Sequence, residues 1–390
     1  MDTSLGSGLL QLLFWGATAT VLYTYVGYPA LLALLTRRRA GARAGDDTAP
    51  PSVSIVVAAF NEETWIERKL ENVLDHDYPP DLREVIVVSD GSTDRTDAIV
   101  GRFAHRGVQL FRQPRRTGKN AALNRGAAMA RGDVLVFTDA NALLAPGALR
   151  RLVAPFADPA VGLVSGQGLY GELGNDTARI VSNAYVRYES FLKQREAALG
   201  FVAAADGALY AMRRELYREL PAHWVHDLLH PIDVAMRGRL SRFEPDAFTV
   251  EPPSPDAGRE FQRHIRIIAQ GFVVLLAHIP RLVAAGRLGE TWMLVSHRGL
   301  RWTSAVFLLA ALVTNLALVR EHSLYVLTLA AQVAFYGLAF AGAVAERLAI
   351  RVRLLAVPYY FCVVSAAGVG GFWRFLAGSG HTTWQPTGGR

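Results

Sequence analysis

Apolar positions along this chain form two kinds of run. Long uncharged runs stand at both ends, and short β-branched runs alternate with amphipathic stretches between them. Leu9 to Leu35 is nearly uncharged and longer than the roughly 20 residues that span a bilayer. Asp2 precedes it, with no basic residue and no small-residue cleavage site, which predicts an uncleaved anchor over a signal peptide. Arg37, Arg38, Arg39 and Arg43 follow and place its C-terminal end in the cytoplasm. Pro29 kinks or ends that helix. A polar linker fills 36–51.

From residue 52 to 258 the pattern is that of a soluble domain. Val53–Ala59, Glu84–Ser89, Gln109–Phe111 and Val134–Thr138 read as buried strands, and 161–166 as a further one. Glu62–His76, Asp94–His105, Lys119–Ala130 and Pro146–Phe156 read as helices, as do 183–199 and 227–239. This alternation predicts an α/β domain with a Rossmann-like, mostly parallel sheet and right-handed crossovers.

Residues 259–300 change character. Phe261, Ile265, Ile268, Phe272, Leu275 and Ile279 recur at helical spacing beside Arg259, Arg263 and Arg266. The pattern predicts amphipathic helices lying in a membrane interface; a helix packed on the soluble domain has the same periodicity. About three transmembrane segments follow within 303–376, near 303–319, 323–345 and 354–372. Arg347, Arg351 and Arg353 place the last loop inside. Residues 377–390 form a tail. The expected protein is a multi-pass protein of the cell (inner) membrane with a cytoplasmic central domain, in contact with membrane lipids.

Composition supports the mixed architecture: 390 residues, 51% hydrophobic, mean hydropathy +0.19 and net charge +7. The excess arginines flank membrane segments instead of forming a nucleic-acid patch. One cysteine, Cys362, excludes an intrachain disulfide or a cysteine metal site. Lysine occurs only at 69, 119 and 193, which singles out Lys119 in its Gly-Lys-Asn turn.

Candidate chemistry lies at the ends of the apolar runs. Asp90 closes Val85–Ser89, Asp139 closes Val134–Thr138, and Asp227 follows His226. Strand-end carboxylates point into the crevice where open α/β sheets bind ligands. Asn61 or Asp94 can equally serve as a helix cap, and Asp90-Gly91 as a tight turn. Asp139-Ala140-Asn141 offers two oxygen ligands suited to Mg²⁺ or Mn²⁺. Arg115–Asn120 is a basic turn at a helix start, a candidate diphosphate contact or an exposed loop. His226 and His230 share a helical face; a zinc site there lacks the usual spacing, and His226 can instead orient Asp227.

These residues resemble glycosyltransferase family 2, the inverting GT-A enzymes. The closest likeness is to the membrane-bound branch of cellulose, chitin, hyaluronan and poly-N-acetylglucosamine synthases and exopolysaccharide transferases. The likeness runs roughly from Tyr23 to the end. It is carried by Tyr25–Pro29, Phe60–Glu63, Ser89–Asp94, Gly118–Asn124, Thr138–Asn141, Ala205–Ala208, His226-Asp227, Glu260–Arg266, Ser296–Trp302 and Thr383–Thr387. It implies a GT-A domain whose donor is a nucleotide-sugar. Glu62, Asp90 and Lys119 would bind the nucleotide, and Asp139 and Asn141 the divalent ion. Asp206, Gly207, His226 and Trp384 would line the acceptor and donor-sugar pocket. Asp227 would be the catalytic base, and Arg263 and Arg266 would reach the diphosphate.

Two departures stand out. The family's acidic pair before the base is here His226-Asp227. The processive synthases' Gln-x-x-Arg-Trp reads Arg263-His264-Ile265-Arg266-Ile267, without the Trp that closes the acceptor site under a growing polymer. The resemblance therefore implies an inverting hexosyltransferase that moves a sugar, from UDP first among donors, to a lipid-linked or glycan acceptor hydroxyl. A polyprenyl-phosphate sugar transferase and a processive synthase are alternatives, and a nucleotide-sugar-binding membrane sensor is the non-enzymatic one. A homo-oligomer or an export partner fits the small number of spans.

Overall fold

The structure, a computed structural model, describes residues 3–38, 49–173, 178–180, 184–222, 224–252, 257–348, 350 and 352–378. The chain opens with α1 (Thr3–Leu22), a π-helical turn (Tyr23–Gly27) and α2 (Tyr28–Leu35). Then come β1 (Val53–Ala59), α3 (Ile66–Leu74), β2 (Arg83–Ser89), α4 (Thr96–Gly101) and β3 (Val108–Arg112). These are followed by α5 (Lys119–Met129), β4 (Val134–Asp139), β5 (Leu143–Leu144), α6 (Ala148–Val153), β6 (Val161–Leu173) and β7 (Ala178–Ile180). The series continues with α7 (Ala184–Ala198), β8 (Leu209–Arg213), α8 (His226–Met236) and β9 (Leu240–Glu251). Last are α9 (Ala257–Ala284), α10 (Leu288–Leu294), α11 (Leu300–Leu318), α12 (Ser323–Arg347) and α13 (Arg353–Leu376). These fall into two compact units: 35–256 with 276–291, and 1–34 with 257–275 and 292–380.

In the first unit all seven residues of β1 are buried. A strand without polar alternation needs cover on both faces, which is the sequence signature of a central parallel strand. β1 pairs in parallel with β2 and β4, and β2 with β3. The register puts Ala59 level with Ser89 and Ala58 level with Asp139. The loops after these strands therefore leave one edge together.

Beyond β4 the sheet becomes mixed. Its order is β3-β2-β1-β4-β8-β6-β9-β5, with β7 on β6. β8 runs antiparallel to β4 with Thr138 opposite Leu209, so the segment before β8 starts at the same edge as Asp139. Strands β8 and β9 were not expected from the pattern. β8 is short and preceded by an alanine-rich segment; β9 is interrupted by Glu244-Pro245-Asp246. One large core, including Ile55, Val57, Val85, Val87, Val136, Leu149 and Leu209, covers one sheet face.

The helical unit departs from expectation in its number of apolar helices. Among the described residues five helical stretches, not four, are long and apolar enough to cross a membrane: 6–35, 261–284, 288–318, 323–347 and 354–376. Phe261–Ala284, expected in the interface, meets the length and composition of a span. The expected segment near 303–319 is the second half of a longer helical run with a π-helical turn at Val295–Gly299. Ile268, Phe272 and Ala367 pack with Ile265, Trp302 and Phe375 in its interior.

Candidate active site

The loops at the carboxyl edge of the parallel strands are linked in series: the β1 loop to the β2 loop, Asp90 to the turn before α5, and Lys119 at the start of α5 to Asp139 at the end of β4. Asn61, expected to cap α3, instead takes a left-handed backbone with φ of 55°. Its side-chain oxygen accepts from Thr93 N at 2.8 Å. Asp94 accepts from Glu63 N (3.1 Å) and from Thr96 N (2.9 Å), tying the β1 loop to the start of α4. The turn over residues 62–65 delays α3 to Ile66.

Glu62 hangs in this junction, 4% exposed, with Oε2 buried and lacking a hydrogen-bond partner among the described residues. Burial pushes its carboxyl up to about 8, and Asp139, Asp94 and Glu251 add to the rise, against Lys119. Several carboxylates thus converge with less positive charge than they need.

Asp90 is fully buried. Oδ1 accepts from Thr117 N (2.7 Å) and Oδ2 from Gly118 N (2.8 Å), just ahead of α5. The anion at this helix start is therefore the chain's own side chain. That occupies the Thr117 and Gly118 amides, within the basic turn that the sequence reading offered to a diphosphate. Gly91 permits the approach: with φ of 73°, a Cβ there would lie 3.0 Å from Arg116 N.

Lys119 Nζ meets Asp139 Oδ1 at 2.5 Å, both side chains mostly covered. Asn141 is buried two residues on. Asp139 and Asn141 make an all-oxygen donor pair. Among the described residues no group of three His, Cys, Asp or Glu side chains is placed to hold a metal ion. An oxygen set with open positions suits Mg²⁺ or Mn²⁺ carrying phosphate ligands. The orphan Glu62 oxygen and the cation already drawn to Asp139 both fit a position that calls for positive charge.

Asp227 is not at a strand end: it lies in the first turn of α8. Its carbonyl accepts from Ala205 N at 2.8 Å, which fastens α8 to the segment before β8. Gly207 sits against it, so that a Cβ would come within 3.2 Å of Asp227 Oδ2 and 3.8 Å of His226 Nε2. Asp206 accepts from Gly168 N (2.8 Å) and Ala208 N (3.1 Å), with Lys193 Nζ at 3.8 Å. An aromatic cluster adjoins His226 and His230. Phe137 and Tyr210 stack with centroids 4.9 Å apart, and Tyr210 OH bonds His230 Nδ1 at 2.9 Å. Burial holds His230 down to about 3, and burial followed by Lys119 holds His226 well below its usual range. Both imidazoles are neutral, and among the described residues neither belongs to a group of three His, Cys, Asp or Glu side chains that could hold a metal ion.

The structure thus gathers Glu62, Asp90, Lys119, Asp139, Asn141, Asp206, Gly207, His226 and Asp227 in one unit. Arg263 and Arg266 belong to the helical unit, half-buried on α9. Trp384 lies outside the described residues, as does His223. Sequence reasoning missed Lys69, Lys193 and Glu251. The rarity of lysine was the available signal.

Comparison with known proteins agrees with this geometry. Residues 54–220 match the family described as Glycosyl transferase family 2. Curated relatives include the beta-monoglucosyldiacylglycerol synthase of Synechocystis sp., 29% identical over 213 residues, covering 53% of this chain and 44% of that protein. Another is the N-acetylglucosaminyltransferase of Rhizobium leguminosarum bv. viciae, 25% identical, covering 66% of this chain and 56% of that one. The chain spans about half the length of such relatives. Among solved structures, the mannosyltransferase PcManGT from Pyrobaculum calidifontis, in complex with GDP-Man and Mn²⁺, is similar over 93% of this chain and 99% of its own. It shows 26% identity and a TM-score of 0.68. The linked strand-end loops, the Asp139–Asn141 pair and these matches agree on a GT-A fold, in which residues 54–220 are similar to glycosyltransferase family 2.

Proposed function

We propose that the chain is a membrane-bound inverting glycosyltransferase that moves a sugar from a nucleoside-diphosphate donor to an acceptor hydroxyl. The observation that carries this reading is the convergence of Glu62, Lys119 and Asp139 at one sheet edge, with Asp227 on the adjoining helix start. Glu62 and Lys119 face the nucleotide, while Asp90 acts through the Thr117-Gly118 turn. Asp139 and Asn141 hold Mg²⁺ or Mn²⁺. The ion, when bound, offsets charge on the leaving diphosphate. PcManGT, similar over nearly its whole length, was solved with GDP-Man and Mn²⁺.

Asp227 accepts the proton of the acceptor hydroxyl as that oxygen attacks the anomeric carbon. The donor C–O bond breaks, the nucleoside diphosphate takes the bonding pair, and the anomeric centre inverts. Gly207 leaves space for the acceptor beside Asp227. His226 stays neutral and presents Nε2 to the same space, where many relatives place a second carboxylate. Arg263 and Arg266 are proposed diphosphate ligands, and Trp384 a proposed acceptor contact.

The five apolar helices and the glycolipid synthase among the relatives support a membrane-embedded protein acting on a lipid-linked acceptor. The missing Trp after Arg266 favours addition of one or a few sugars over processive synthesis. The test is transfer of label from nucleotide-sugars to membrane acceptors, with products sized. A ladder of long polymer overturns the limited-addition reading, and label on a polyprenyl phosphate makes the lipid itself the acceptor.

A further inference from the structure

The chain has only three lysines among 41 basic residues, and all three are inside the catalytic unit. Lys119 meets Asp139 and Lys193 approaches Asp206. Lys69 has no part in the mechanism above, yet it is completely buried.

Its place on α3 is specific. Lys69 Nζ donates to Thr138 Oγ1 at 2.8 Å and also to the carbonyl of Ala142. Thr138 immediately precedes Asp139, and Ala142 immediately follows Asn141. One ammonium is thus bonded to both sides of the Asp139-Ala140-Asn141 tripeptide. Asn72, three residues on along the same helix face, bonds Leu144 through both its backbone groups (2.8 and 3.0 Å). His76, four further on, bonds the Ala145 carbonyl at 3.0 Å through Nε2 and the Asn72 carbonyl at 3.1 Å through Nδ1. α3 therefore holds the segment from Thr138 to Ala145 along its length. Burial lowers the Lys69 ammonium to about 7, and the charges of Asp139 and Glu251 oppose that fall.

We propose that Lys69 is a positioning residue for the divalent-ion loop, setting the spacing of Asp139 and Asn141 by closing the chain around them; the inference rests on those two residues being the ion's ligands. Ligand oxygens must be held to within a fraction of an ångström for tight ion binding. A lysine suits the position because its compact head carries three tetrahedral donors, which can reach a hydroxyl and a carbonyl at once. Arginine's planar fork is larger and differently directed. A buried lysine that only filled space would be replaceable by an apolar chain of similar volume with no effect on ion binding.

The experiment compares full-length wild type with Lys69→Met, Asn72→Ala and Asp139→Ala in detergent. Mn²⁺ affinity is read from the electron paramagnetic resonance of free Mn²⁺ with saturating UDP or GDP. Nucleotide affinity is read separately in EDTA, and thermal unfolding serves as a folding check. Lys69→Met should weaken Mn²⁺ at least tenfold, with metal-free nucleotide affinity within about twofold of wild type. Asn72→Ala should weaken Mn²⁺ about threefold, and it carries the test if Lys69→Met does not fold. Mn²⁺ affinity unchanged in the folded α3 variants, while Asp139→Ala abolishes it, overturns the inference and leaves the ion assignment standing. Unchanged affinity in Asp139→Ala removes the ion assignment, and the inference with it.

Discussion

Lys119 Nζ lies 2.5 Å from Asp139 Oδ1, so the carboxylate assigned to the divalent ion already has a cation of the chain's own on it. Removing one partner of a mostly buried ion pair leaves the other charge uncompensated and costs several kcal/mol at most. Lys119→Met should lower the melting temperature of the metal-free protein, and Mn²⁺ should restore more of it than it adds to wild type. A differential scan with and without Mn²⁺ checks this. Equal Mn²⁺ shifts in both proteins would show that ion and lysine do not share Asp139.

Asp227→Asn keeps the shape of the first turn of α8 and deletes the base. A positioned general base contributes about 10²–10⁴-fold. Turnover should fall within that range while donor affinity, measured by titration, stays near wild type. Turnover within a few-fold of wild type would remove Asp227 from the role.

Gly207 is the position where a single methyl group should matter. A Cβ there would lie 3.2 Å from Asp227 Oδ2 and 3.8 Å from His226 Nε2. Gly207→Ala should raise the acceptor KM by about tenfold or more, a change of at least about 1.4 kcal/mol, with the donor KM little changed. Initial rates with each substrate varied in turn separate the two.

Glu62 gives the protein a signature in pH. Its folded carboxyl is raised to about 8 from an ordinary 4.5. Between those values the unfolded chain has released a proton that the native protein keeps. Stability is thus fully present below about 4.5 and falls as pH rises toward 8. Glu62→Gln removes the effect. It should match wild type near pH 4.5 and exceed it at pH 8 by on the order of 4 kcal/mol. Urea unfolding of the metal-free proteins at the two pH values measures this.

The parallel half of the sheet was legible because buried strands such as Val53–Ala59 and Val134–Asp139 are almost wholly apolar. The mixed half was not: Leu209–Arg213 is too short and mixed to show a period, and β9 owes its pairing to partners far along the chain. Asp90, Asp139 and Asp227 could be singled out by position, but not told apart by environment. Only the fold shows Asp90 closed on Thr117 and Gly118, Asp139 on Lys119, and Asp227 on a helix. The clamp from Lys69, Asn72 and His76 joins residues about 70 positions apart, and nothing local in the sequence announces it.

Sugar transfer by this site is measured in membranes carrying wild type or Asp227→Asn, incubated with radiolabelled UDP- and GDP-sugars and Mn²⁺ or Mg²⁺. Wild type alone should transfer label from one donor into lipid-extractable or glycan product, and EDTA should abolish the transfer. Transfer of equal extent by Asp227→Asn, or donor binding without any transferred label across the panel, would rule out glycosyl transfer at Asp227.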